Sequence, residues 1–214
     1  MSPPVGPTGL AQRCTGKHTA ANATEAEPPP KWRVGATFGA FRSRLLFSDG
    51  ADVKMEQLAV SASLEYRAAE KITLAVAGGG MFLGNLGGTP TSPGAVASVS
   101  LAGTLFDQGE WTPFVMMSGS LAFSSLKVLD ESYVAFDVRA GVVAGWTLWE
   151  RFTPYAVFRA FGGPVFYAGT VGTDAYHVQL GVGAVLGLPG GFDLSVEFVP
   201  LGEQRITAGA GFSF

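Results

Sequence analysis

Apolar residues alternate with small or polar residues from Trp32 to the end of the chain, so that each kind falls on every second position. A period of two predicts β-strands that carry one apolar face. In the clearest run, Val134, Phe136 and Val138 share one face, whereas Asp137 and Arg139 share the other. Ten runs of this kind span residues 32–40, 57–67, 72–77, 97–105, 111–123, 134–148, 154–166, 176–188, 192–198 and 205–214.

The connections between these runs alternate in length. Those after the second, fourth, sixth and eighth runs are tight, and those after the first, third, fifth and seventh are longer and more polar. This alternation predicts an antiparallel meander with tight turns at one end and longer connections at the other. Inside the third run, Gly78, Gly79 and Gly80 indicate a sharp bend or the close approach of a neighbouring strand.

The composition of the less apolar face distinguishes a membrane barrel from a soluble one. That face consists mostly of Gly, Ala, Ser and Thr, and only 14% of the chain is charged, against about 25% in soluble domains. Small residues fit the interior of a narrow barrel, and the apolar face fits lipid. If the apolar face were instead an interior core, the chain would be a soluble ligand-binding barrel.

A helical membrane protein is excluded by the longest uncharged stretch, 72–106, which glycines and prolines interrupt. Because open strand edges cannot face hydrocarbon, a spanning sheet must close on itself. The sequence therefore predicts an all-β fold, an up-and-down antiparallel transmembrane β-barrel of ten strands over residues 32–214. An eight-stranded barrel is the alternative, if the seventh run or the last hairpin is misread.

The chain ends inside its last run, with Ile206, Ala208, Ala210, Phe212 and Phe214 on one face. Here the sequence resembles the outer-membrane β-barrel proteins of Gram-negative bacteria, whose last strand typically ends in an aromatic residue. The resemblance covers residues 32–214 as a pattern. It implies location in the outer membrane, contact with its lipid, and recognition of Phe212 and Phe214 by the barrel-assembly machinery.

The tryptophans agree with a membrane location, because they fall at the tight-turn ends of the runs, where an interfacial aromatic girdle belongs. They are Trp32, Trp111, Trp146 and Trp149. The first 31 residues are rich in proline and show no period, which predicts a disordered tail with both termini in the periplasm. This tail lacks the apolar run of a secretory signal, which is where the chain departs from the class it resembles.

Charged residues within the runs have the parity opposite to the apolar face, and we expect them to line the lumen. They are Arg33, Glu65, Arg67, Asp137, Arg139, Arg159, Asp193, Glu197 and Arg205. The positive charges of the arginines and the negative charges of the acidic residues nearly balance, so the sequence predicts a closed ionic network and a structural or accessory role. A narrow pore for small solutes is the alternative, although ten strands are far fewer than the 16–18 of wide channels. Inward Phe114, Met116, Tyr155 and Phe161 would narrow it further.

Catalytic and cofactor signals are weak. His177, the only histidine among the runs, has inward parity and lies near Glu203 by hairpin register, but no serine stands at i±2. A rim-sited lipid-acting enzyme, or binding through the connections 42–53 and 124–132, is therefore only an alternative. The lone Cys14 and the absence of a metal-ligand cluster or dinucleotide fingerprint predict no metal and no cofactor. The net charge of −3 does not predict the basic surface that nucleic-acid binding requires. We expect the protein to be a monomer.

Overall fold

The computed structural model describes residues 8–11 and 30–214, and strands make up most of this part of the chain. A short 3₁₀ turn at Pro189–Gly191 joins two of them. The strands are β1 (Trp32–Phe47), β2 (Asp52–Ala69), β3 (Ile72–Leu86), β4 (Thr89–Thr91), β5 (Gly94–Phe106), β6 (Phe114–Val128), β7 (Glu131–Gly145), β8 (Phe152–Gly162), β9 (Val165–Tyr167), β10 (Thr170–Asp174), β11 (Val178–Gly187), β12 (Phe192–Leu201) and β13 (Gln204–Ser213).

Ten long strands close into a ring in which all neighbours are antiparallel. Its order is β1, β2, β3, β5, β6, β7, β8, β11, β12 and β13, and β13 pairs with β1 from Arg33↔Ser213 to Arg42↔Gln204. The predicted up-and-down barrel of ten strands is thus confirmed. We call this ring the lower tier, and its lower end is the one where the backbones of Trp32 and Phe214 are hydrogen-bonded. The predicted alternation of tight and longer connections is wrong, because Leu129 and Asp130 alone join β6 to β7 at the opposite end, whereas residues 107–113 and 146–151 join strands at the lower end.

A second, eight-stranded ring stands above the first. There β4 replaces β5 beside β3, and the β9–β10 hairpin bridges β7 and β1, through the pairs Ala135↔Val165 and Leu45↔Asp174. We call this ring the upper tier. Its strands are β1, β2, β3, β4, β6, β7, β9 and β10.

Strand boundaries differ from the sequence prediction mainly at this upper end. Residues 42–53 were expected to form a connection because they are charged, yet β1 and β2 continue through most of them. The strands persist because Leu45 and Met55 point inward and are fully buried, while the charged side chains point outward. Two runs start later than expected, since β6 begins at Phe114 and β11 at Val178.

The two faces of the wall exchange character between the tiers. In the lower tier, outward side chains such as Phe38 and Val76 are exposed and apolar, whereas inward ones such as Arg33 and Glu197 are charged and buried. In the upper tier, buried apolar side chains fill the interior. They are Phe41, Leu45, Phe47, Met55, Ala59, Met81, Leu86, Val96, Leu126, Val128, Tyr133, Ala135 and Val165.

The close strand approach expected at the three glycines occurs at Gly79. A Cβ there would overlap the Val60 carbonyl oxygen and would lie 2.6 Å from Ser61 Cα, whereas a Cβ at Gly78 would have 3.8 Å to the Val96 carbonyl oxygen. We therefore expect Gly79→Ala to lower the free energy of unfolding by about 1–3 kcal/mol or more. Gly78→Ala is the matched control, with little change. Urea titration of the barrel refolded in vesicles measures both, and equal stability of the two variants would contradict the close approach.

Candidate functional site: the barrel lumen

The lowest charge cluster of the lumen is centred on Arg33 of β1. Its Nε and one terminal nitrogen donate to the two carboxylate oxygens of Asp193 at 2.8 and 2.7 Å, and the other terminal nitrogen lies 2.5 Å from Glu65 Oε1. The second Glu65 oxygen accepts the backbone N–H of Gly9 at 2.9 Å. All three charged side chains are buried, so this cluster ties β1, β2 and β12 together.

The middle cluster surrounds Glu197 of β12. Arg159 donates to both of its oxygens at 2.8 and 2.7 Å, Arg205 donates to one at 2.7 Å, and the Tyr155 hydroxyl lies 3.2 Å from the other. Arg159 therefore has the inward direction expected for it. One buried carboxylate thus holds two buried guanidinium groups, from β8 and β13.

The upper cluster is built on Arg139 of β7. Its Nε lies 2.6 Å from Asp137 Oδ2, its terminal nitrogen donates to both oxygens of Glu203 at 3.1 and 3.0 Å, and its guanidinium stands 5.0 Å from the centre of the Phe161 ring. Gln179 donates to Glu203 Oε1 at 3.1 Å. Asp137 and Arg139 thus form a pair at i,i+2, as their spacing suggests.

Sequence reasoning missed several polar residues of the lumen. Glu203 lies in the β12–β13 turn and was considered only as a partner for His177, yet it is buried beside Arg139. Asp174, buried in β10, accepts a 2.5 Å hydrogen bond from Ser43. Glu203 has the same parity as inward Arg205, which is the signal that could have found it, whereas Asp174 has the parity of the outward face of the run 176–188 and carries no such signal. Arg67, expected among the lumen charges, is half-buried near the β2–β3 turn.

Residues Thr8–Ala11 lie inside the lower end of the barrel. Thr8 Oγ1 stands 2.8 Å from Ser100 Oγ, and Leu10, 1% exposed, packs with a buried apolar cluster that includes Phe114, Met116 and Tyr155. The prediction of a disordered tail is therefore wrong for these four residues, because Leu10 and Ala11 bury apolar surface against the wall. Cys14 and the rest of the tail before residue 30 lie outside the described residues.

A catalytic pair of His177 and Glu203 does not form. His177 is exposed beside Gly162, whereas Glu203 is buried and accepts hydrogen bonds from Arg139 and Gln179. Within residues 8–11 and 30–214, no group of three or more His, Cys, Asp and Glu side chains is placed to hold a metal ion. In the same part of the chain, no helix is long and apolar enough to cross a membrane.

Aromatic side chains form two belts on the outer wall. The lower belt includes Trp32 against Tyr66, with ring centres 4.5 Å apart, and Phe212 against Phe214 at 5.8 Å. Trp111, Trp146 and Trp149 are exposed at the same end, in or beside the β5–β6 and β7–β8 connections. The upper belt consists of phenylalanines from β6, β7 and β9, in which Phe136 contacts both Phe123 and Phe166.

A polar row on the outer wall marks the top of the apolar band. Arg42 stands in register with Gln204 on one side and Glu56 on the other, and Glu56 with Asn85. From Trp32 to Arg42 the strand is about 34 Å long along its own axis. At the tilt of a strand in a membrane barrel, this length spans roughly 25 Å along the membrane normal. Above this row, outside the spanning segments, a hydrogen bond from Arg44 lowers the pKa of Asp52 from its ordinary value.

Comparison with solved structures identifies the fold. An outer membrane channel from Pseudomonas putida F1 matches with a TM-score of 0.52 at 11% identity, over 91% of this chain and all of that one. The translocator domain of the autotransporter NalP from Neisseria meningitidis gives 0.46 at 13% identity, covering 92% of this chain and 91% of its own. Neisserial surface protein A gives 0.43 at 14% identity, covering 86% and 97%. No protein-family model and no curated protein matches the chain. The chain has the fold of bacterial outer-membrane β-barrels.

Proposed function

We propose that this protein is a bacterial outer-membrane barrel with a closed lumen that serves a structural or accessory role and is not an enzyme. The observation that carries this proposal is the apolar core of the upper tier, in which Leu45, Met55 and Tyr133 are fully buried. Such a core leaves mainly apolar surface in the path of an ion, which would lose much of its hydration on entering it.

Two further groups of side chains fill the lumen below this core. In each of the three arginine–carboxylate clusters the charged groups pair with one another, so few unpaired charges remain to bind a passing solute. At the lower end, Leu10 packs among Phe114, Met116 and Tyr155. A solute would have to displace all three layers in turn, which supports a closed barrel over an open one.

The orientation we propose has the lower end of the barrel and both termini in the periplasm, because the upper tier extends beyond the apolar band at the opposite end, and outer-membrane barrels carry their longer segments on the outer side. The partners would be outer-membrane lipid and the barrel-assembly machinery. The machinery would recognise the last strand through Phe214 and through Phe212, whose ring centre lies 4.9 Å from that of Phe192. The fold closes on itself without a second copy, which supports a monomer.

A narrow pore for small solutes is the second candidate function. It is favoured by the likeness to the Pseudomonas putida protein, which is described as an outer membrane channel, and by the charges that line the lumen. An opening would require the upper core or the clusters to move, and those motions distinguish the two functions.

Conductance of the full chain in a planar lipid bilayer tests the proposal. We expect no steady conductance from protein whose folding is verified by a mobility shift between boiled and unboiled samples in SDS. Asp137→Asn is the matched variant, since Arg139 keeps Glu203 as a partner, and it should also be silent. Stepwise conductance with an ion selectivity that Asp137→Asn alters would overturn the closed barrel in favour of the pore.

A further inference from the structure

An amphipathic groove runs up the outer wall beside β1. Ala40 is a small outward residue between Ile206 of β13 and Leu58 of β2, which stand in register with it. Together with Leu83 and Phe198, these residues line a groove of about 350 Å³. The lower part of the groove therefore lies within the apolar band and offers apolar walls to a hydrocarbon chain.

The upper end of the groove is polar and continues into a second groove. Arg42 and Gln204 line both of them. The second groove, of about 250 Å³, extends to Arg44, Lys54 and Tyr176. One continuous depression thus passes from lipid-facing Ala40 to a cluster of three cations just above the apolar band, which is the level of lipid headgroups.

The acidic neighbours position these cations without using all their donors. Arg42 contacts Glu56 at 2.6 Å, and Arg44 makes a two-point contact with Asp52, but each arginine side chain is at least half exposed. A guanidinium has five N–H donors, and Asp52 takes two from Arg44. Three cations against two carboxylates leave one net positive charge, and the ion pairs hold the remaining donors in a fixed arrangement.

We propose that the joined grooves bind one lipid with a phosphorylated headgroup from the membrane leaflet at the upper tier. An acyl chain lies over Ala40, and the phosphate is bound by Arg42, Arg44 and Lys54. Arginine matches the geometry of phosphate oxygens, and basic sites next to the membrane attract anionic headgroups. This inference rests on the orientation proposed above but is independent of whether the lumen is closed.

A third groove, on the outer wall from β3 to β7, provides an internal comparison. It has a volume of about 380 Å³ and is lined by apolar residues around Gly119, including Leu101, Leu121 and Val138. Arg139 also borders it, but its side chain is 5% exposed and bound to carboxylates in the lumen. This groove can accept a hydrocarbon chain and has no outward cation for a phosphate.

Native mass spectrometry of the full chain released from detergent micelles tests the proposal. The probes are a diphosphorylated acylated glucosamine disaccharide, the same lipid without its phosphates, and inorganic phosphate. We expect one molecule of the phosphorylated lipid to be retained, with much weaker retention of the dephosphorylated lipid and no competition by inorganic phosphate. Equal retention of the two lipids would reduce the site to an apolar groove, and competition by inorganic phosphate would make it a free-anion site. Either result overturns the proposal.

Matched variants locate the binding. Arg42→Gln combined with Lys54→Gln should weaken the lipid's apparent Kd roughly tenfold or more, and Ala40→Phe should weaken it by filling the apolar part. Lys71→Gln, which removes an exposed paired cation at the lower end, and Gly119→Leu, which fills the third groove, should leave binding unchanged. Unaltered retention in the Arg42/Lys54 variant, with the boiled-sample mobility shift intact, would overturn the assignment whatever the conductance result.

Discussion

Glu197→Gln is expected to lower the free energy of unfolding by about 3–5 kcal/mol, the range for breaking a buried ion pair from one side. The 2%-exposed carboxylate accepts hydrogen bonds from Arg159 and Arg205, both buried. Glutamine keeps the shape of the side chain but removes its charge, so that two guanidinium groups remain in the lumen without this counterion. Urea-induced unfolding in lipid vesicles, followed by tryptophan fluorescence, measures the loss.

Glu56→Gln is the matched control for this prediction. Glu56 also pairs with an arginine, Arg42, but its side chain is 40% exposed, and exposed pairs contribute about 0–1 kcal/mol. A second check is the double variant Glu197→Gln with Arg159→Gln, which should cost less than the sum of the single changes because it leaves fewer unbalanced charges. If Glu197→Gln were as mild as Glu56→Gln, water would reach the middle cluster and the lumen would be wet.

Leu45→Ala is expected to destabilise the barrel by about 2–5 kcal/mol, the cost of emptying a closely packed core. Leu45 is fully buried among the apolar side chains of the upper tier. Its neighbour Leu46 points outward with 44% exposure, so Leu46→Ala in the same strand should have a small effect. The same vesicle titration compares them. Similar losses for the two variants would mean that the upper tier has no packed interior.

The lower tier follows from the sequence because lipid and lumen demand opposite side chains on alternate residues. The alternation from Val134 to Ala144 therefore predicts both the strand and the direction of each side chain, although the predicted run continues to Leu148 and β7 ends at Gly145. The same rule gives the correct direction for Arg159, although apolar Tyr155 and Phe161 share its face. Those two aromatic residues point inward as well, where Tyr155 contacts Glu197 and Phe161 stacks on Arg139.

The upper tier and the lower plug could not be predicted in this way. Above the membrane the outer face is wet, so Arg44 and Lys54 occupy outward positions of β1 and β2, and the charged segment resembles a connection. The packing of Leu10 depends on contacts with Phe114 and Val143, more than 100 residues away in the chain. The local alternation of residue types carries no information about such long-range contacts. The role of Glu203 likewise becomes visible only in the structure, where the β12–β13 turn lies beside Arg139.

The exchange of faces at the junction of the tiers has a consequence for insertion. In the proposed orientation, the tip of the β1–β2 hairpin must pass through the hydrocarbon to reach the outer side, and it carries Arg42, Arg44, Asp52, Lys54 and Glu56 on one face. Arg42↔Glu56 and Arg44↔Lys54 stand opposite each other, with Asp52 bound to Arg44. A hairpin that forms before it crosses would carry these charges as short-range pairs, and Asp49 in its turn brings the net charge of residues 42–56 to zero. Pairing of β1 with β2 ahead of translocation therefore lowers the barrier to assembly.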